Sequence, residues 1–156
     1  MSSRTARQRT TTTTRPTSHR LDLPVRLWLR LARVYQKIEQ ATTVDLRREA
    51  LTTGQFDVLA HVGATEGSTQ QQIADALLVT KSNVCQLLDR MERAGLVERR
   101  QRGRMNHLYL TEEGKHLYQR VIPAHERRIA EHLSALAPEE QTVLLGMLRR
   151  VDHALA

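Results

Sequence analysis

The chain has 156 residues, 40% of them hydrophobic and 3% aromatic, with a formal net charge of +7. That hydrophobic fraction supports one core-bearing domain and excludes global disorder, while so few aromatics argue against binding single strands by base stacking. The single cysteine, Cys85, excludes an intrachain disulfide and fits a reducing compartment. The positive balance is the footprint of a polyanion binder, although ribosomal and membrane-surface proteins share it.

Residues 1–20 form a compositional zone of their own. They hold Arg4, Arg7, Arg9, Arg15 and Arg20, a threonine run from Thr10 to Thr14, and no acid. Such a segment cannot bury a core and is predicted to be a disordered basic arm. Two readings stand: an arm lying along DNA phosphates or in a minor groove, and a solvated tail. An Arg/Thr-rich start also mimics an organelle transit peptide, but no amphipathic face runs through it. No hydrophobic region follows it as in a secretory signal, and no apolar run reaches the roughly 18–20 residues of a membrane span. The expectation is a cytoplasmic protein with no membrane partner.

Residues 21–156 read as a single domain. From Pro24 to about Asp45 the pattern is helical, with Leu27, Leu31, Val34, Ile38 and Ala41 stepping by four and three and Trp28 and Tyr35 widening the stripe. Thr52 and Gln55 then form a capping box, followed by Phe56, Leu59, Ala60 and Val62 on a second helix that ends between Gly63 and Gly67. Thr69 and Gln72 repeat the box before a short helix burying Ile73, Ala74 and Leu77. Thr80 caps a further helix with Val84, Leu87, Leu88 and Met91 inward, and Gly95 stops it.

After Gly95 the period falls from 3.6 to 2. Leu96–Arg100 and Asn106–Leu110 read as paired strands with Gly103 at the turn. Thr111 caps a long helix toward Leu136, with Leu117, Val121, His125, Ile129 and Leu133 on one face, and Pro123 is expected to kink or divide it. Pro138 opens the last helix, striped by Leu144, Leu148, Val151 and Leu155.

Helices followed by a two-stranded ribbon is the order of a winged helix-turn-helix. The helix after Thr80 is the recognition candidate. Its outward side carries Lys81, Ser82, Asn83 and Gln86, with Arg90 a turn later. Asn and Gln can pair bidentately with adenine edges, while Lys and Ser reach phosphate or guanine. The helix start favours phosphate. The ribbon carries Arg99, Arg100, Arg102 and Arg104, and an arginine at a hairpin tip suits a narrow minor groove.

The stretch Leu51–Gly114 resembles the MarR family of winged-helix transcriptional regulators. The matching strings are LTTGQFDVLAHV, QQIADALLVTKSNVCQLLDRMERAGLVERR and LYLTEEG. The resemblance implies a mainly α fold with a small β-wing. A DNA-binding lobe would occupy about 51–113, flanked by N- and C-terminal dimerisation helices at about 24–47 and 112–156. It implies a homodimer on a roughly palindromic duplex site, repression, and relief by a small ligand. One departure is visible. Where the family carries Asp-x-Arg in the wing, this chain has Arg102-Gly103-Arg104. Arg104 matches the arginine, the aspartate is replaced, and the wing is about three residues short. Both minor-groove insertion and phosphate contact stand open for it.

Other residues carry plainer readings. Trp28 and Tyr35 are candidates either for the core or for a ligand cavity beside the dimerisation helices. Cys85 is read as packing or as a redox switch, the latter requiring exposure and a lowered pKa. The seven histidines show no zinc spacing, and no catalytic constellation or phosphate-cradling loop exists, so neither metal, cofactor nor enzymatic activity is expected. Two other classes compete with a sequence-specific regulator: a winged-helix protein-interaction module and a sequence-neutral architectural DNA binder.

Overall fold

Threonine side chains start four of the helices. The computed structural model describes residues 22–155, so the expected basic arm at 1–20 lies outside the described residues. In chain order the elements are α1 (Leu23–Arg48), α2 (Thr53–Ala64), α3 (Gln70–Ala76), α4 (Lys81–Arg93), β1 (Val97–Arg102), β2 (Met105–Leu110), α5 (Glu112–Leu133) and α6 (Pro138–His153). Thr52 accepts from the Gln55 N–H at 3.3 Å while the Gln55 side chain accepts from the Thr52 N–H at 3.0 Å. Thr69 and Gln72 repeat this at 3.3 and 2.8 Å. Thr80 accepts from Asn83 N–H, and Thr111 from Gly114 N–H. Each pairing satisfies donors that a helix start otherwise leaves open, for roughly 1 kcal/mol apiece.

The core is built around α2. Val58, Leu59 and Val62 meet Ile73 of α3, Val84, Leu88 and Met91 of α4, and Leu108 of β2, all fully enclosed. At about 1.5–3 kcal/mol for each large apolar side chain removed from water, this burial dominates the favourable side of the balance. Val58 is buried alongside Phe56, Leu59 and Val62 because α2 is covered on more than one side. The two strands pair antiparallel from Val97↔Leu110 to Arg102↔Met105, a residue or two longer at the hairpin end than the alternation predicts. Gly103 and Arg104 close the hairpin, and Gly103 takes φ +62, the left-handed geometry that a two-residue loop needs at its first position.

The wing is tied to the helices at its base and side. Thr111 N–H donates to the Leu96 carbonyl at 3.1 Å, and the Thr111 hydroxyl donates to the Gly95 carbonyl. Gly114 sits so close that a Cβ there would lie 1.9 Å from the Leu96 oxygen. Beside β2, Gly67 N–H donates to Leu108 O at 2.8 Å and Leu108 N–H donates to Ser68 O at 3.0 Å, so the loop before α3 acts as a short third strand. The α3–α4 junction turns at Leu78, whose left-handed φ of +53 is a position glycine usually fills.

Several expectations need correction. Of the kink or division expected at Pro123, division does not occur: α5 runs from Glu112 to Leu133 with Pro123 inside it. It stops three residues short of Leu136, and α1 continues past Asp45 to Arg48. Trp28 and Tyr35 are not core residues of this chain, being 64% and 63% exposed. The apolar rows of α1 before Ile38 and the whole of α6 lie open in the single chain, with no residue of α6 buried. No helix is long and apolar enough to cross a membrane.

Candidate nucleic-acid interface

α4 has two sharply different sides. Val84, Leu88 and Met91 fasten one side to the core, while Ser82, Asn83, Gln86 and Arg90 stand exposed on the other; Lys81, at the first position of the helix, is exposed at its N-terminal end on the side of Val84 and Leu88. Fixing the inward side fixes the direction of the outward one, since residues three and four apart share a face. No acid occupies the first turn, so the partial positive charge of the helix start is unneutralised by the chain itself. Four of the five candidate residues on α4, Ser82, Asn83, Gln86 and Arg90, are therefore brought together on one polar side, with Lys81 at the helix start beside it. Cys85 lies between the two sides, partly buried, and Leu87 packs beside Gly54 of α2.

The wing treats its four arginines differently. Arg99 is turned onto α4, with its side chain 17% exposed and its guanidinium bonded to Asp89 and Glu92. Burial works against its charge, yet the hydrogen bond to Asp89 and the charge of Glu92 outweigh that and hold its pKa above the usual arginine value. Arg100 pairs with Glu98 and lies 4.5 Å over the Tyr109 ring. Both are thus engaged within the fold. Arg102 and Arg104 flank Gly103 at the hairpin end, are exposed, and form no ion pair among the described residues. Residue type alone did not distinguish the two pairs. Arg99 faces Asp89 and Glu92 only because β1 packs on α4, a tertiary fact with no local signature.

A cleft of about 340 Å³ lies between the end of α1 and the middle of α5, walled by Thr42, Asp45, Leu46, Val121, His125 and Arg128 among others. The Arg128 Nε donates to Asp45 at 2.8 Å and holds its carboxyl below the ordinary range. Burial lowers the His125 pKa, and its ring lies 4.3 Å from Phe56. Trp28 and Tyr35, the sequence candidates for a ligand site, do not line this cleft. The cleft has no signature in the sequence, because Asp45 and Arg128 are 83 residues apart. Among the described residues no three His, Cys, Asp or Glu converge as a metal site.

Comparison with known proteins places this geometry. The MarR family model matches residues 51–104, from the start of α2 to the hairpin tip. The HTH-type transcriptional regulator PecS of Dickeya dadantii is 33% identical over 132 residues, covering 80% of this chain and 79% of that protein. Among solved structures, AbsC, a MarR family transcriptional regulator from Streptomyces coelicolor, is similar with a TM-score of 0.80 and 27% identity over 86% of this chain and 95% of its own. S. aureus MepR, solved as a DNA complex, shares the fold with a TM-score of 0.74 and 24% identity, over 81% of this chain and 94% of its own.

Proposed function

The chain belongs to the MarR family of winged-helix DNA-binding transcriptional regulators, which are not enzymes, and from that premise we propose that it works as a homodimeric repressor whose grip on a pseudo-palindromic duplex site is modulated by a small ligand. In this reading α4 enters the major groove. Asn83 and Gln86 read base edges, Lys81, Ser82 and Arg90 hold phosphate or guanine, and Arg102 and Arg104 touch the DNA from the hairpin end. The observation that carries it is the exposed polar row of α4 opposite a fully buried apolar one. That the structurally similar MepR was solved as a DNA complex supports DNA as the partner.

The bare apolar rows support the dimer in this reading. Leu27, Leu31 and Val34 of α1 and Leu144, Leu148 and Val151 of α6 are 38–67% exposed, more than a lone helix pair leaves in water without a partner surface. A second copy covering them by two-fold symmetry sets two α4 helices about one DNA turn apart. The α1–α5 cleft is the place for the effector in this reading, since it joins a dimerisation helix to the lobe and is large enough for a small molecule. The wing contact is with phosphate rather than deep in the minor groove, because the loop has only two residues and Arg104 has no aspartate beside it. Selection of bound sites from random duplexes, repeated with Gln86→Ala, tests the reading assignment. An unchanged preference in the variant would remove Gln86 from the reading set.

A further inference from the structure

The excess positive charge does not reside in the DNA-reading lobe. Residues 1–38 contain nine Lys and Arg against one acid, Asp22, whereas residues 39–156 contain fifteen against sixteen. From Glu39 onward the chain is close to neutral and slightly acidic. The polyanion footprint belongs to residues 1–20 and to the first part of α1.

Within α1 the cations are ordered. Arg26, Arg30, Arg33 and Lys37 recur at steps of four, three and four, which places them on one stripe. All four are exposed, and none joins an ion pair among the described residues. The apolar row of Leu27, Leu31, Val34 and Ile38 lies roughly 100° around the helix, so a partner seated on that row leaves the basic stripe outward. The stripe also sits apart from the reading helix, since α1 packs on α5 and α2 while α4 packs on α2, α3 and β1.

We propose that this stripe is a second DNA-binding surface that holds the phosphodiester backbone of a duplex segment other than the one read by α4, without regard to sequence. Its four cations follow one another at about 4.5–6 Å along the helix axis. A duplex presents a phosphate charge about every 1.7 Å of its axis, so each cation finds a partner along one run of backbone. The stripe itself holds no Asn or Gln, the residues that read adenine edges. An anionic membrane is the other polyanion such a helix suits, but interfacial binding needs a broad apolar face, and the row of Leu27, Leu31 and Val34 is covered in the proposed dimer, which leaves Val25 and Leu29 on the other flank of the stripe. That preference rests on the dimer reading. The charge partition and the stripe do not.

The test uses the full chain and a labelled random-sequence duplex across a salt series. Replacing Arg26, Arg30, Arg33 and Lys37 together with Gln should flatten the logarithmic salt slope by about 3 to 4, at about 0.9 for each phosphate left unneutralised. The charge-keeping variant R26K/R30K/R33K should retain the wild-type slope, and the single change Lys37→Glu should flatten it where the quadruple variant fails to fold. Beads carrying one duplex and loaded with the wild type should retain a second, labelled duplex, and the Gln variant should release it. An unchanged slope or unchanged second-duplex retention in the Gln variant overturns the proposal. So does loss of binding to phosphatidylserine vesicles with duplex binding intact. Gln86→Ala should alter sequence preference and leave the salt slope alone, so failure here and failure of the α4 assignment are separable.

Discussion

α4 and the wing hold the two sets of side chains proposed to face the duplex that is read, and they are built on opposite terms. The polar residues Ser82, Asn83, Gln86 and Arg90 of α4 spend nothing on the fold, because the opposite side of the same helix does the anchoring. The wing has four arginines, but half of them serve the protein: Arg99 binds Asp89 and Glu92 of α4, and Arg100 lies on Tyr109. Counting arginines therefore overstates the wing as a DNA contact, and what matters is which guanidiniums the fold leaves unpartnered.

The comparison can be broken most severely at the wing's base. Gly114→Ala puts a Cβ against the Leu96 carbonyl, and a backbone oxygen cannot move aside as a side chain would. A stability loss of about 3 kcal/mol or more is expected, the upper end of overpacking costs, visible as a lower urea midpoint. Arg99→Ala should come next, at about 1–3 kcal/mol of stability, discounted from a fully buried pair because Asp89 and Glu92 are about half exposed. Any loss of DNA affinity in that variant should be recovered by conditions that stabilise the fold, and persistence of the loss in a fully folded variant would make Arg99 a DNA contact after all.

Two changes sharpen the division of labour without touching the core. Gln86→Ala should cost about 1–3 kcal/mol on a selected site and relax preference at one position in each half-site. Arg104→Ala should weaken all duplexes alike and reduce the salt slope by about 1, with no change in preference. A preference change in Arg104→Ala would return the wing to the reading set.

The local devices were legible in the sequence. Thr52, Thr69, Thr80 and Thr111 announce their helices because a cap needs only residues three apart. Gly95 and Gly103 mark turns for the same reason, each taking a positive φ. The outward row of α4 was legible too, since its inward partners recur at helical spacing. What could not be read was anything set by the meeting of distant segments: Arg99 on α4, the short pairing of the loop before α3 with β2, and the α1–α5 cleft. Of the two outcomes expected at Pro123, division does not occur, because a ring inside a helix removes one hydrogen bond and α5 absorbs that loss without ending. Trp28 and Tyr35 misled differently. A periodic stripe says that a face is to be covered, and it does not say by which chain.

The central claim is that α4 reads DNA sequence through its outward polar row as one of two symmetric copies. Selection from random duplexes with the wild type and with Gln86→Ala tests it most directly. The account predicts that the wild type enriches an inverted repeat with half-sites centred about one helical turn apart, and that Gln86→Ala loses preference at one position in each half. Enrichment of no repeat by the wild type, or the same repeat with equal strength at every position in both proteins, would contradict it.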